Sequence, residues 1–216
     1  TGARSVVTPR VRSIMRTAIK RTLTVVLIAA LSVACGIAFD RLCDRRDRKE
    51  YPRKYSEQIS KNSDEFGIPD DVIYAAVKVG SNFDSSLRTG DGDDARIGLM
   101  QLTADDYRAY ASKLGMNTDP GLLYEPDTNL TLGSCRISQL YGKYSDWRCV
   151  FAAMYTDTET VDEWLKDESL VSKGGRLAKI PDDATAEYVS CMESTVAKYS
   201  KLYSQISEKT YNEGRT

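Results

Sequence analysis

The chain has 216 residues, of which 41% are hydrophobic and 28% are charged, and its formal net charge is −1. This size and composition suit one globular domain with an appendage. Histidine is absent from the sequence, which excludes histidine metal sites, Ser-His-Asp triads and Cys-His pairs. Any hydrolytic or lyase chemistry must therefore use carboxylates, Tyr, Lys or Ser.

An uncharged apolar run, "TLTVVLIAALSVACGIAF", occupies residues 22–39. It is just long enough to cross the hydrocarbon core of a bilayer. The residues before it include basic side chains and no acidic ones, namely Arg4, Arg10, Arg12, Arg16, Lys20 and Arg21. This flank predicts that residues 1–21 form a basic cytoplasmic segment, that residues 22–39 form a transmembrane anchor, and that the rest of the chain lies outside the cytoplasm.

Two alternatives to a retained anchor stay open. One is a cleaved signal peptide with a long apolar region, and the other is a lipoprotein signal that uses Cys35 in "LSVAC". Ser32 stands where such a lipoprotein signal normally has an aliphatic residue, which favours the retained anchor. Residues 40–50, which are dense in charge, are predicted to form a solvated stalk.

The segment from Tyr51 onward is predicted to be almost entirely helical. It contains 19 basic and 27 acidic residues, a balance that disfavours nucleic acid as a partner. Apolar residues recur at helical spacing in "YSEQISKNSDEFG", which ends at Gly67, and "IPDDVIYAAVKV" begins a second helix at Pro69. Further helices are predicted in "TADDYRAYASKLG", "DTNLTLGSCRISQLYGKY", "DWRCVFAAMY", "TVDEWLKD" and "DATAEYVSCMESTVAKYSKLYSQI". Gly115 is predicted to end one of these helices and Thr128 to cap another, and no stretch predicts a strand.

Two smaller features have ordinary and specific interpretations. The loop "DGDDA" at residues 91–95 has the spacing of the start of a calcium loop, but it lacks the following glycine and the closing glutamate, so a solvated turn is favoured. No metal site and no cofactor are predicted. Cys135, Cys149 and Cys191 lie outside the anchor region. A Cys135–Cys149 disulfide is one alternative, and buried free thiols are favoured.

Five motifs follow one another after Tyr51, namely "YAAVKVGSNFD", "IGLMQLT", "PDTNLTLG", "FAAMYTDTETVDEWL" and "IPDDATAEYV". In order and spacing they resemble the motifs of the lytic transglycosylase (SLT, goose-lysozyme-like) family. The resemblance covers residues 51–216 and implies an all-α, lysozyme-like domain with a groove for peptidoglycan glycan strands. It also implies a protein of the bacterial cell membrane with a single span and its C-terminal domain outside the cytoplasm.

The resemblance implies a mechanism with one glutamate at the end of the second helix of the domain. That residue protonates the leaving oxygen between N-acetylmuramic acid and N-acetylglucosamine and then acts as a base, so that the sugar's own 6-hydroxyl closes a 1,6-anhydro ring. A single acid suffices because this hydroxyl replaces the attacking water. An apolar pocket must keep the acid protonated.

Gly80 stands at the position of that glutamate, because Ser81, Asn82 and Phe83 follow it as in the family motif "ESNF". Glycine cannot donate a proton, so the sequence favours an inactive member of the family. An ordinary interpretation is compatible with this one: glycine at a helix end can be a C-cap in the left-handed conformation.

A second departure lies in "MYTDTETVDEWL", where the family has "AYNAG". Tyr155 is kept, but Thr156, Asp157 and Thr158 replace Asn, Ala and Gly. One laboratory substitution would explain Gly80 but not this segment, so natural loss of activity is favoured. The alternative is an active transglycosylase that uses another acid, for which Asp84 and Asp157 are the candidates.

Four residues are predicted to line the remaining groove: Ser81, Met100, Gln101 and Tyr155. Gln101 is expected to hydrogen-bond sugar amides or hydroxyls and Tyr155 to stack and bond, whereas Met100 fits core packing equally well. Asn129 and Gly133 are expected to cap and pack helices. Two hypotheses follow for an inert protein, namely binding of peptidoglycan glycan and a non-catalytic scaffold for a partner protein in an envelope assembly.

Overall fold

A computed structural model describes residues 9–117 and 119–213, with side chains for residues 20, 22–24, 26–92, 94–117 and 119–203. The chain divides into two compact units, Thr1–Glu50 and Tyr51–Thr216. The predicted basic segment, residues 1–21, lies largely outside the residues whose side chains are described.

The first unit contains one helix, α1, at Pro9–Glu50. Its part from Thr22 to Glu50 is long and apolar enough to span a membrane, and it also fits a signal sequence near the N-terminus. Large apolar side chains such as Leu23 and Phe39 are 62% and 67% exposed. Residues 40–50 continue the same helix, and nearly all of their side chains are exposed.

The second unit is mostly helical in its described residues, which confirms the predicted helical class. Its helices are α2 (Ser56–Phe66), α3 (Asp70–Ser81), α4 (Ala104–Leu114), α5 (Pro126–Tyr144), α6 (Trp147–Tyr155), α7 (Thr158–Trp164) and α8 (Asp183–Glu213). Short 3₁₀ turns lie at Gly92–Asp94 and Pro120–Tyr124.

Local sequence signals explain most of the helix ends. Gly67 and Gly115 close α2 and α4 with φ values of 66° and 65°, as predicted, because glycine adopts the left-handed conformation without a steric cost. The Thr103 side chain accepts a hydrogen bond from the Asp106 N–H, and the Asp106 side chain accepts one from the Thr103 N–H. The prediction that Thr128 caps a helix is wrong. Helix α5 begins earlier, at Pro126, because proline lacks the N–H that the first helical position leaves unbonded.

The core lies around α3, which is buried over the six consecutive residues Val72–Val77. Helix α8 packs along α3 and α6, and α5 packs between α2 and α6. Tyr74 of α3 stacks on Tyr199 of α8 with 5.2 Å between ring centroids. These contacts hold α3 against α8.

That loop contains a small hairpin that sequence reasoning missed. Strands β1 (Arg88–Thr89) and β2 (Arg96–Ile97) pair antiparallel, and Ile97 also bridges to Leu102. Strands of two residues are too short to leave an alternating apolar pattern, so periodicity could not reveal them.

The cysteines of the second unit are free thiols. Cys135 and Cys149 are buried and Cys191 is exposed, so the Cys135–Cys149 disulfide is not formed. Burial raises the pKa of the Cys149 thiol, which keeps it protonated and unreactive.

Candidate functional site

The end of α3 opens onto a cleft of about 220 Å³, here called the Gly80 cleft. Its walls come from α3, the hairpin, the loop at residues 98–101, α5, α6 and α8. The lining residues are Ala76, Val79, Gly80, Thr89, Arg96, Met100, Gln101, Arg136, Met154, Tyr155 and Tyr188. The cleft brings together Gly80 and three of the four predicted groove residues, Met100, Gln101 and Tyr155.

Gly80 lies inside α3 and is not its cap. Positive φ values begin two residues after Gly80, at Asn82 with 51° and Phe83 with 66°, and Asn82 is the C-cap. A Cβ atom at position 80 would lie 3.2 Å from the Leu99 carbonyl oxygen and 3.4 Å from Cγ of Gln101. The interpretation of Gly80 as a left-handed C-cap is therefore wrong, because Gly80 lies within the helix and Asn82 takes the left-handed conformation at its end.

Ser81, the fourth predicted groove residue, does not line the cleft. Its side chain is 5% exposed, and its hydroxyl donates to the Val77 carbonyl at 3.2 Å within the same helix. Consecutive helical residues point in directions about 100° apart, so the residue after Gly80 faces the core.

Met100 lines the cleft from the loop at residues 98–101 and is 6% exposed. Its side chain lies directly on Gly133 of α5, where a Cβ atom would come within 2.9 Å of the Met100 Cε. Its N–H donates to the Asn129 Oδ1 at 2.8 Å. Met100 therefore has both expected roles, because its side chain packs in the core and also forms a wall of the cleft.

The amide of Gln101 is used by the fold. Its Nε2 donates to the carbonyls of Gly98 at 2.8 Å and Leu87 at 3.3 Å, and its Oε1 accepts from the Thr89 hydroxyl at 2.7 Å. Gln101 has a φ of 52° and is 8% exposed. A sugar could reach only the remaining lone pair of Oε1, so hydrogen bonding to a glycan stays a prediction for this residue.

Two arginines that sequence reasoning missed lie between the Gly80 cleft and a neighbouring pocket of about 270 Å³. Arg96 donates to the carbonyls of Met154 at 3.3 Å and Tyr155 at 2.9 Å. Arg136, 9% exposed, donates to the carbonyls of Ala153 and Met154 at 3.4 Å each. The guanidinium groups thus bind the negative end of α6.

The Arg136 guanidinium also lies 3.5 Å from a carboxylate oxygen of Asp106. The sequence signal that could have indicated a buried role for Arg136 is its position as the charged residue within the apolar stretch "LTLGSCRISQL". None of the described residues that line the Gly80 cleft carries a carboxylate. The charged groups of this cleft are therefore cationic.

Tyr155 forms one wall of the cleft and is 40% exposed. Its ring pairs with that of Tyr188 of α8, with 4.9 Å between centroids. Burial raises the pKa of Tyr188 to about 12, so its hydroxyl stays protonated at neutral pH. The pair provides an aromatic surface with hydroxyl groups, which suits a sugar ring.

The two alternative acids are bound elsewhere. The exposed Asp84 carboxylate accepts hydrogen bonds from the N–H and hydroxyl of Ser86, which hold its pKa below the usual range. Asp157 lines the neighbouring pocket and caps α7, where it accepts from the Thr160 N–H at 2.8 Å. The lowered pKa makes Asp84 a poor proton donor.

The segment at Thr156–Thr158 forms local hydrogen bonds at the end of α6 and the start of α7. The Thr156 hydroxyl donates to the Ala152 carbonyl at 2.9 Å, which helps to end α6. Asp157 then starts α7 without an intervening loop. Within the described side chains, which leave out Asp93, no group of three or more acidic or cysteine residues could hold a metal ion.

Comparison with known proteins identifies the fold and the family. The profile of the transglycosylase SLT domain matches residues 57–173, which is more than half of the chain. The chain belongs to the transglycosylase SLT domain family. The predicted family and the lysozyme-like fold of this SLT protein are thereby confirmed. No curated protein sequence matches it.

Solved structures agree with this assignment. An inactive mutant of the lytic transglycosylase Slt from Pseudomonas aeruginosa is 26% identical, with a TM-score of 0.63 over 70% of this chain. The 70 kDa soluble lytic transglycosylase of Escherichia coli is 20% identical, with a TM-score of 0.65 over 72% of this chain, and matches equally well in its complex with bulgecin A. The SLT protein spans about a quarter of the length of these structures.

Proposed function

We propose that this SLT protein is anchored in a bacterial cell membrane and binds the glycan strands of peptidoglycan without cleaving them. In this proposal residues 22–39 are the anchor, residues 40–50 are the stalk, and residues 51–216 are the glycan-binding domain outside the cytoplasm. The observation that carries the proposal is the composition of the Gly80 cleft. The cleft lies at the end of α3, where the family resemblance implies the glycan groove, and none of its described lining residues carries a carboxylate.

The chemistry explains why this composition matters. Cleavage of a glycosidic bond needs a proton on the leaving oxygen, and general acid catalysis contributes about 10²–10⁴-fold to such rates. Gly80 offers no proton. The N–H groups of Arg96 and Arg136 donate to carbonyls at the end of α6, so these side chains do not replace the acid. Tyr188 holds its proton tightly because burial raises its pKa.

Binding can survive this loss because it depends on shape and stacking. The Tyr155–Tyr188 pair, the Met100 wall and the polar rim at Thr89 are independent of residue 80. An aromatic contact contributes on the order of 1 kcal/mol. The cleft therefore keeps groups that can hold a sugar after the catalytic step has been lost.

The experiment uses the full chain in nanodiscs of neutral lipid, incubated with purified peptidoglycan sacculi. Binding is measured by co-sedimentation and cleavage by mass spectrometry of 1,6-anhydromuropeptides. We expect saturable binding and no anhydro product. Tyr155→Ala is expected to weaken binding about three- to tenfold, since it removes one aromatic contact. Tyr124→Ala is the matched control, because Tyr124 is equally exposed at 39% but lies outside the cleft.

Gly80→Glu tests whether the acid alone is missing. Its matched control is Gly142→Glu, at an exposed helical glycine with open space around its Cβ position. Anhydro product from Gly80→Glu alone would mean that the cleft lacks only its proton donor.

Anhydro product from the unaltered chain would overturn the proposal that the protein is inactive, and Asp84→Asn and Asp157→Asn would then test whether either residue is the acid. Absence of any binding to sacculi would refute the glycan proposal and leave the scaffold role.

A further inference from the structure

A second groove lies near the other end of α3, between the start of that helix and helices α6 and α8. It has a volume of about 390 Å³ and is here called the Trp147 groove. Its apolar lining comes from Pro69, Val72, Trp147, Phe151, Val196 and Ala197. It shares no lining residue with the Gly80 cleft. The proposed glycan binding leaves this surface unexplained.

The base of the groove is aromatic. Trp147 stacks on Phe151 with 5.9 Å between centroids and on Tyr141 with 4.3 Å. Tyr141 is 39% exposed, whereas Phe151 is 2% exposed, so the stack runs from the surface into the core. Val196 and Ala197 of α8 form the opposite wall and are only partly covered or exposed. An open apolar surface of this kind is typical of a contact with another molecule.

The charged groups of the groove are acidic. Asp71 and Glu193 line it, and none of its described lining residues is basic. Glu193 forms a long ion pair of 3.5 Å with Arg148. The buried Oδ1 atom of Asp71 has no hydrogen-bond partner among the described residues. A buried carboxylate oxygen without a partner is costly, and a cationic donor would remove that cost.

The neighbours of Asp71 do not neutralise it. A cavity of about 70 Å³ adjoins the groove at Asp71 and contains Arg53. The Arg53 guanidinium donates to the carboxylate of Asp70 at 2.8 Å rather than to Asp71. Burial and the nearby charge of Asp70 raise the pKa of Asp71. A positive charge placed in the groove would therefore be stabilised by a carboxylate that forms no ion pair with Arg53 and whose Oδ1 has no hydrogen-bond partner among the described residues.

We propose that the Trp147 groove binds a segment of a partner protein in which an apolar side chain stands next to a lysine or arginine. The apolar side chain lies against Trp147 and Phe151, and the cation reaches Asp71. Charge complementarity supports this occupant, because the groove is acidic and residues 51–216 carry about eight net negative charges. The open shape suits a segment that crosses the surface, and the same acids disfavour anionic lipid.

The test uses tryptophan fluorescence of the full chain in nanodiscs of neutral lipid. The chain has two tryptophans, so Trp164→Phe leaves Trp147 in the groove as the reporter. The probe is an acetylated and amidated peptide, Phe-Lys-Leu-Lys, and binding to empty nanodiscs is subtracted. The control peptides are Phe-Glu-Leu-Glu, which reverses the charge, and Ser-Lys-Ser-Lys, which removes the apolar side chains. We expect saturable change of emission with the first peptide alone.

Three variants locate the binding. Asp71→Asn is expected to weaken it about tenfold, because the hydrogen bond to the cation loses the charge of its carboxylate acceptor. Ala197→Trp fills the groove from an exposed position and is expected to abolish it. Glu187→Gln on the exposed face of α8 is the matched control and is expected to leave it unchanged. Circular dichroism confirms that each variant is folded, and sacculus binding should be the same in all three.

Several results would overturn the proposal. These are equal binding of the acidic peptide, absence of saturable binding, and binding that survives both Asp71→Asn and Ala197→Trp. If neutral chitooligosaccharides change the Trp147 emission and the basic peptide does not, the groove is a second glycan surface. Loss of sacculus binding in Tyr155→Ala bears on the Gly80 cleft alone, so the two proposals fail independently.

Discussion

Gly98 lies directly against the side-chain amide of Asn129, and a Cβ atom on residue 98 would collide with that amide. Asn129 is completely buried. Its Nδ2 donates to the carbonyls of Ile97 at 3.0 Å and Leu123 at 2.9 Å, and its Oδ1 accepts from the N–H of Met100. One buried amide thus positions the loop that carries Met100 and Gln101 to the Gly80 cleft.

Gly98→Ala is expected to destabilise the domain by more than about 2 kcal/mol, because it adds left-handed backbone strain to a steric collision. Gly98 has a φ of 79°. The measurement is urea unfolding followed by circular dichroism. Gly142→Ala is the control and should be neutral or stabilising by up to about 1 kcal/mol, since alanine favours an open helical position. Equal stability of the two variants would contradict the close contact.

Asn129→Asp keeps the shape of the side chain and replaces its two N–H donors with a carboxylate oxygen. That oxygen would face the carbonyls of Ile97 and Leu123, so we expect a loss of at least about 2 kcal/mol at neutral pH. The folded state raises the pKa of such a carboxyl above its unfolded value. The deficit relative to the unaltered chain should therefore be smallest below about pH 4 and grow as the pH rises through the folded pKa. A deficit independent of pH would argue against these bonds.

Gly80→Ala is expected to change the free energy of unfolding by less than about 1 kcal/mol. The helical backbone accepts alanine, and the gain in helix propensity offsets the close approach to the Leu99 carbonyl oxygen at 3.2 Å. Chemical denaturation measures this variant beside Gly98→Ala. The comparison is between a position where a side chain is expected to be tolerated and one where the fold is expected to require glycine. A loss as large as that of Gly98→Ala would mean that the fold, rather than loss of catalysis, requires Gly80.

Acid should destabilise the domain through three carboxylates that bind neighbouring N–H and hydroxyl groups. These are Asp84, Asp167 and Asp182, whose partners Ser86, Ser169 and Thr185 hold their pKa values below the usual range. A lowered folded pKa contributes stability above the unfolded pKa and loses it as the pH falls through the folded value, so stability should fall below about pH 4.

Asp182→Asn should flatten this acid dependence, because Asp182 accepts from the Thr185 N–H at 2.7 Å at the start of α8. The contribution of Asp71 to stability changes with pH in the opposite direction. Because its pKa is raised in the folded state, this contribution is present at low pH and is lost as the pH rises through the folded pKa. Urea unfolding across a pH series measures both effects. If the Asp182→Asn variant lost as much stability below about pH 4 as the unaltered chain, Asp182 would not be one of the carboxylates responsible for the acid dependence.

Cysteine labelling should test the anchor and the core together. With the chain in lipid vesicles, a charged maleimide is expected to label the exposed Cys191, while Cys135 and Cys149 stay protected until the domain unfolds. Cys35 is exposed on α1, and a bilayer around residues 22–39 would protect it. Mass spectrometry reports each site, and denaturation in detergent labels all five. Labelling of Cys35 at the rate of Cys191 in vesicles would contradict the proposed anchor.

The extent of sequence prediction differs between the fold and the site. The helices from α2 to α6 were predicted close to their observed ends because apolar spacing and glycine stops act within a few residues. Helix α7 begins two residues before its predicted start and ends three before its predicted end, and α8 continues seven residues beyond its predicted end at residue 206. The Gly80 cleft was predicted in part through the motif that contains Gln101 and the kept Tyr155. The role of Gln101 in holding Thr89 and Gly98 was missed, because those contacts arise only when the hairpin forms.

The sequence by itself determined the helical class, the apolar segment of α1, the absence of histidine chemistry and the family of the domain. These properties depend on composition, local periodicity and ordered motifs. Only the tertiary structure decided that Gly80 is no cap, that Ser81 faces the core and that Arg136 of α5 binds the end of α6. The physical reason is that a side chain's partners across the fold depend on how helices pack, and neither residue type nor local spacing specifies that contact.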